Sequence, residues 1–302
     1  MFSTPICYLF FNRPECVKIS FPIIQALKPK KLYLLSDGPR TKSDVDLCKQ
    51  SRFLIEQYLN WPCDVVKIYS DENMGLAVRT VSAINEVFEY EDHLIFLEDD
   101  NLVDPSFFSY CEELLIKYIN NEKIFHIGGC NYFEKAVPFD VDGDYIFNAR
   151  ISAWGFATWK RAWKHMDLSM SDWNMKSKDS FLKNWCVNKK HLHEIKKVFN
   201  QHCLNNDPWA WSYAWTYACW AQGALSIVPK VNLVSNIGFG PKATNTTLKA
   251  HNWEGLPKIR GSLGNIKHPK HITRNLFYEK KAYQLERGSL LRRFKQCIKS
   301  II

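Results

Sequence analysis

Residues Leu94–Phe108 read LIFLEDDNLVDPSFF. Four apolar residues, Leu94–Leu97, have the length and character of a buried strand. The run then stops in three consecutive carboxylates, Glu98, Asp99 and Asp100. Adjacent acids repel one another and each is costly to desolvate, so the strand must end where a cation or water meets them. Pro105 opens the following helix and Asp104 stands where a helix cap is expected. That leaves the triplet free for chemistry, unless Asp99 or Asp100 itself caps the turn.

The same rhythm extends towards the N-terminus and beyond the triplet. Strands are predicted at Pro5–Phe11, Lys31–Ser36, Asp64–Tyr69, His93–Leu97 and Ile124–Gly129, with helices from Pro14 to about Leu27, through Phe53–Leu59, over Leu76–Tyr90 and over Pro105–Ile119. Strand–helix alternation at this spacing predicts an α/β fold with a mostly parallel sheet and right-handed crossovers. In such sheets ligands bind at the carboxyl ends of the strands. The polar clusters fall there: Asn12 and Arg13 after Phe11, Ser36-Asp37-Gly38, Asn73-Met74-Gly75, and Glu98-Asp99-Asp100. Four independent strand ends therefore point at one crevice.

The second half is less regular. SAWGFATWKRAW (Ser152–Trp163) and DPWAWSYAWTYACWAQG (Asp207–Gly223) are dense in tryptophan, and the polar stretch between them, about Asp167–Asn206, reads as helical, an insertion or a lid. Most tryptophans of such runs belong to the core, and Trp215 and Trp220 are expected there. Trp154, and Trp209 or Trp211, are expected at the site, since flat aromatic faces suit the C–H-rich faces of sugars.

The chain has 302 residues, 46% hydrophobic and 14% aromatic, enough for one large domain or a domain with a subdomain. No stretch approaches the roughly 18–20 apolar residues of a membrane span. The first residues read as a strand rather than a signal peptide. The ten cysteines are scattered without a CxxC pair, which predicts reduced thiols and a cytoplasmic protein. The net charge of +9 is concentrated near the C-terminus. From Pro241 to Ile302 there are 14 Lys and Arg against 3 Asp and Glu, a net +11, while the rest nets −2. In LLRRFKQCIKSII (Leu290–Ile302), Leu290, Leu291, Phe294, Ile298, Ile301 and Ile302 form one helical stripe that the basic residues mostly avoid. Such a helix lies on an anionic membrane surface, or docks on its own domain or a second copy. Nucleic acid is the weakest alternative.

The residue types suggest chemistry. A strand ending in acids can hold Mg²⁺ or Mn²⁺ together with substrate phosphates, and such an ion neutralises a leaving diphosphate. Asp37 could accept hydrogen bonds from a ribose or base, or make an Asx turn in which Gly38 supplies positive φ. Arg13 could contact a diphosphate or a helix C-terminus. Arg79 could reach the crevice or form a surface ion pair.

Together FNRPE, SDGPR, NMGL, LEDDNLVDPSFFSY, WGFATWKRAW and VNLVSNIGFG resemble a bacterial glycosyltransferase family related to family 2, which assembles surface polysaccharides. EDDNLVDPSFFSY is also similar to the N-acetylglucosaminyltransferase I family. The resemblance covers roughly Pro5–Thr247. It implies a GT-A fold with a nucleotide-sugar-binding half (1–130) and an acceptor-binding, catalytic half (131–247), followed by a basic extension (248–302). It also implies a nucleoside-diphosphate sugar donor, taken as a UDP-sugar, a divalent metal, a saccharide acceptor and inversion at the anomeric carbon; a tail on the membrane would make that acceptor a lipid-linked one on its inner face. Carried over by position, Asp100 ligates the metal, Glu98 and Asp99 face the donor sugar and ribose, Asp37 the base and Arg13 the nucleotide. Phe11, Asn12, Asn73 and Arg79 complete the donor site, and Trp154, Gly155, Trp209 and Trp211 the acceptor site. Relatives often carry an acid within the second tryptophan-rich run, where this chain has Ser212. Asp207 is then the expected base, since an inverting transferase must deprotonate its acceptor. Ser212 also keeps open a non-catalytic carbohydrate-binding protein on a transferase scaffold. A nucleotidyltransferase would share the crevice, but FFNRPE lacks the Gly/Lys/Arg-rich phosphate loop expected of one.

Overall fold

The structure, a computed structural model, describes residues 1–134, 136–137, 142–176, 180–204, 210–238, 259 and 262–299, with side chains of the last helix to residue 287. The chain opens β1 (Ile6–Phe10), α1 (Pro14–Leu27), β2 (Lys31–Ser36), α2 (Lys42–Tyr58), β3 (Asp64–Tyr69), α3 (Leu76–Val87) and β4 (His93–Glu98). Next come β5 (Asn101–Val103), α4 (Ser106–Lys117), β6 (Ile124–Gly128), β7 (Tyr145–Asn148), β8 (Phe156–Trp159) and the single-turn α5 (Lys160–Trp163). The remainder is α6 (Trp173–Lys176), α7 (Phe181–Trp185), α8 (Lys189–Leu204), α9 (Trp211–Ala221), β9 (Leu225–Pro229), β10 (Val234–Asn236) and α10 (Leu276–Lys299).

Eight strands form one mixed, mostly parallel sheet in the order β3-β2-β1-β4-β8-β6-β9-β7, so the α/β expectation holds. The parallel half is the part the alternation predicted. Its runs are almost continuously apolar because both faces are covered. In β1, Ile6, Tyr8 and Phe10 enter the core on one face, while Cys7 and Leu9 enter the core on the other. Pro14 begins α1, where its missing N–H costs nothing. β7, β8 and β9, all past residue 130, join β6 and the first four strands in this sheet, so residues of both expected halves share one sheet.

β7, β8, β9 and a short two-stranded ribbon were missed. FATW, inside the first tryptophan-rich run, is β8, inserted antiparallel between β4 and β6 with Leu94 opposite Thr158. The short antiparallel ribbon of β5 and β10 pairs Asn101 with Asn236; each strand has three residues, too few for a visible alternation. The predicted helix at Phe53–Leu59 is the last part of the longer α2.

The second tryptophan-rich run forms α9, which buries Trp211, Ala214, Trp215, Tyr217, Ala218, Cys219 and Trp220. A helix apolar all round is a buried one, and Trp215 and Trp220 are core as expected. The polar stretch before it is helical too. Trp173 and Phe199 from it meet Tyr217 edge-on, so it is packed against α9.

The last helix is docked, at least as far as its side chains are described. Tyr278 and Ala282 join Val137, Ile146 and Val228 in a small third core, and Glu279 accepts hydrogen bonds from the Ala149 N–H and Arg274. Among the described residues no helix is long and apolar enough to cross a membrane.

Candidate functional site

The parallel strands leave β1 in two directions, towards β2 and β3 on one side and β4 on the other. The carboxyl ends of β1 and β4 therefore flank the point where strand order reverses, the place where α/β sheets open a crevice. A cleft of about 210 Å³ lies there. Phe11, Arg13, Asp37, Asn73, Arg79, Glu98, Asp99, Asp100 and Trp154 all line it. Six of these, Arg13, Asp37, Asn73, Glu98, Asp99 and Asp100, come from the strand-end clusters, while Phe11, Arg79 and Trp154 were expected on other grounds. Arg40, Leu76, Asn236 and Gly238 also line it and were not anticipated individually, although Asn236 and Gly238 stand in the VNLVSNIGFG motif.

The cation demanded by the acidic triplet is, in the first place, Arg13. Its guanidinium bridges the Oδ1 of Asp99 and, at 2.9 Å, the Oδ2 of Asp100. Both acids are buried, at 1% and 7% exposure. The other oxygen of Asp100 accepts from Asn101 at 2.8 Å and Asn236 at 3.0 Å. Asn101, itself buried, also accepts from the backbone N–H of Glu98 and of Gly155, so it fixes the turn after β4 and ties it to the segment holding Trp154. Ser20 on α1 donates to the Asp99 carbonyl.

Three carboxylates against one guanidinium leave the cluster at −2 when all are ionised and at −1 when Glu98 holds its proton. Burial, followed by repulsion from Asp100, pushes the Glu98 carboxyl up to about 8; Arg13 and a hydrogen bond from Trp211 act against this. Asp99 is raised to about 6, burial outweighing the attraction of Arg13. Arg13 itself is held above its ordinary range: burial opposes its charge, but Asp99 and Asp100 more than offset that.

The charge deficit is the observation that bears on a metal. Among the described residues no group of three or more His, Cys, Asp or Glu is placed to hold an ion by itself. An ion sharing phosphate oxygens and water needs only one or two protein carboxylates. A carboxylate has about four acceptor positions, and Asp100 uses three. The residues present fit a divalent cation on Asp100, with Arg13 retained on Asp99.

Asp37 behaves otherwise than expected. Its Oδ1 accepts from the N–H groups of Gly38 and Met74, and its Oδ2 from the Gly75 N–H and the Asn73 amide, all at 3.0 Å. The carboxylate is consumed in shaping the loop before α3 and presents no spare acceptor to a base. Gly38 is not in the positive-φ region. It is required because the Asp71–Glu72 backbone passes within about 2.6 Å of where a Cβ would stand.

Arg79 is no surface ion pair. It is 5% exposed, and it donates to the Ile68 carbonyl and towards the Met74 sulfur, while its Nε has no hydrogen-bond partner. Burial lowers its pKa. The first turn of α3 beside it has no side-chain cap, so N–H groups and a guanidinium share one wall of the cleft, a combination suited to an anion. Opposite, Arg40 lies 5.0 Å over the Phe11 ring and Trp154 meets Tyr132 edge-on at 5.3 Å.

Three expected site residues fall elsewhere. Asn12 donates to Asp44 and does not line the cleft. Gly155 is a buried backbone element at φ 55°, where a Cβ would press on Val234, so it supports Trp154 rather than meeting an acceptor. Trp211 is 2% exposed, packed on Phe96, Phe156 and Trp163; it is no open platform and does not line the cleft. Asp207 and Trp209 lie outside the described residues.

Gly238 seals the acidic corner. A Cβ there would lie 2.7 Å from the Arg13 guanidinium and 2.8 Å from the Asp100 Cβ, both closer than real contacts allow. On the nucleotide-sugar reading proposed below, Gly238→Ala is expected to displace Asp100 and lower nucleotide affinity at least tenfold, with Tm within a few degrees of wild type. Calorimetric titration beside a thermal melt checks this; unchanged affinity would show that the corner tolerates displacement.

No protein-family model and no curated protein sequence matches the chain. Solved structures resemble parts of its fold at low identity. Residues 1–349 of TarS from S. aureus match at 10% identity and TM-score 0.37, over 55% of this chain and 49% of that one. The chain thus spans about half of TarS 1–349. HddC from Yersinia pseudotuberculosis matches at 9% and 0.31, over 53% and 78%. The mannosyltransferase PcManGT from Pyrobaculum calidifontis, in complex with GDP-Man and Mn²⁺, matches at 10% and 0.38, over 72% and 69%.

Proposed function

We propose that the chain is an inverting glycosyltransferase of the GT-A type, which takes a sugar from a nucleoside-diphosphate donor, a UDP-sugar, to a saccharide acceptor. The acceptor is lipid-linked, and the pathway is bacterial surface polysaccharide synthesis. The observation that carries this reading is the convergence of residues from β1, β2, β4 and the loop before α3 in one cleft at the reversal of strand order.

Each wall then has a task. The first turn of α3 and Arg79 hold an anionic part of the donor. Phe11, under Arg40, packs on the nucleoside. Asp37 keeps the Asn73–Gly75 loop in shape. Glu98 faces the donor sugar, and Asp99 orients Arg13. Trp154 offers a flat apolar face to a sugar ring. Asp100 would hold a divalent ion, Mn²⁺ or Mg²⁺, which would supply positive charge to a departing diphosphate. Transfer forms a bond from an acceptor oxygen to the anomeric carbon and breaks the bond to the diphosphate, which leaves with its electron pair. The acceptor proton passes to a base, which we assign to Asp207. Four residues later, α9 begins with Trp211, which packs on Phe96 of the strand that ends in Glu98.

The test is a panel of nucleoside-diphosphate sugars with Mn²⁺ and a saccharide-lipid acceptor, read as released nucleoside diphosphate. Acceptor-dependent release is expected from one donor. Pyrophosphate release instead would make the chain a nucleotidyltransferase, and binding without turnover would make it a carbohydrate-binding protein.

A further inference from the structure

The described part of α10 divides its residues sharply between two faces. The inward face carries Tyr278, Ala282 and Tyr283 in the core. Both acids of the helix are neutralised by the domain: Glu279 by Arg274, and Glu286 by Arg150. The outward face carries Leu276, Phe277, Lys280, Lys281, Gln284 and Leu285, all exposed, with Phe277 at 56% and Leu276 at 48%. The Lys281 ammonium sits 5.9 Å over the Phe277 ring. That face has apolar groups and positive charge and no carboxylate.

We infer that the outward face of α10 docks on an anionic lipid surface. Its mixture of exposed apolar side chains and lysines is the chemistry of a helix lying in a membrane interface. Charge complementarity selects the partner. The chain is net +11 from Pro241 to Ile302 and net −2 elsewhere, so this end alone is drawn to negative headgroups. The backbone stays helical to Lys299, and in the sequence beyond Ser289 an apolar stripe is again paired with Arg292, Arg293, Lys295 and Lys299. The docked half anchors the helix to the domain, so a membrane-bound α10 holds the whole domain at the surface. The docking face does not depend on the transfer chemistry.

Flotation of the full chain with phosphatidylcholine vesicles, with and without phosphatidylglycerol, tests this. Binding is expected only with phosphatidylglycerol, and is expected to fall at least tenfold when salt shortens the range of the attraction. Lys280→Glu with Lys281→Glu, and separately Phe277→Ser, are each expected to weaken flotation at least tenfold, with unchanged Tm and nucleotide affinity. If the intact chain ignores anionic vesicles, or the charge-reversed variant floats like wild type, the inference falls. A dimer in solution that Phe277→Ser dissociates, without flotation of the wild type, would assign the face to a second copy instead.

Discussion

Replacing Asp100 by asparagine is expected to lower transfer by about 10²–10³-fold, the range seen when one preorganised electrostatic contact to a developing charge is lost. The chain is expected to stay folded, although the change is not silent. The Oδ1 of Asp100 takes two amide donors, from Asn101 and Asn236, and its Oδ2 takes Arg13. An asparagine can offer its carbonyl to only one of these sides, so its NH₂ must face a donor on the other. That mismatch costs about 1–3 kcal/mol, a few degrees in Tm for a chain of this size. Removing one charge also relieves Glu98, which burial and then Asp100 push up to about 8. Measurement of nucleoside-diphosphate affinity with and without Mn²⁺ gives a second readout. Wild type is expected to bind more tightly with Mn²⁺, and Asp100→Asn to lose that difference. Equal Mn²⁺ enhancement in both would remove the ion from Asp100, whatever happens to turnover.

The parts legible in the sequence are those whose physics is local. An almost continuous apolar run bounded by polar turns marks β1, β2 and β4, because strands covered on both faces have no other pattern to show. The rule that ligands gather at strand carboxyl ends then collected Arg13, Asp37, Asn73 and the triplet without reference to any contact. Pairings across long sequence separation were not legible. Asn236 reaches Asp100 across 136 residues, through a ribbon of two three-residue strands that carries no periodic signal. Nor could sequence show which acids would be consumed by the fold. Asp37 and Asp100 look alike as strand-end carboxylates, yet one takes four hydrogen bonds from its own loops and the other three. Trp211 was misread for a related reason. Its spacing relative to Trp215 said they share a helix face, but α9 is apolar all round, and nothing in the spacing said that both would be covered.

Arg13→Met is expected to be among the most destabilising single changes in the chain, and its cost is expected to depend on pH. Methionine fills much of the same volume, so the loss is one of charge. Without the guanidinium, Asp99, at 1% exposure, keeps among its side-chain partners only a long 3.4 Å contact from the Phe11 N–H. Asp100 keeps its two amides but has no counter-charge. Breaking a buried pair by removing one partner costs about 3–5 kcal/mol. The sign follows from the protons. Asp99 already titrates at about 6 in the folded chain against an ordinary 3.8, and loss of Arg13, which holds it down, raises it further. A carboxyl with a raised folded pKa contributes stability while protonated and loses it as pH climbs from its unfolded value through its folded one. The deficit of the variant should therefore be small near pH 4, grow through pH 6, and be full by about pH 8. Denaturant titrations of both proteins at these three values measure it. A gap that is constant with pH would mean that Arg13 contributes packing alone. A variant as stable as wild type at pH 8 would mean that Asp99 and Asp100 find another cation, and that the negative charge of the corner, with the ion it is fitted to hold, was wrongly counted.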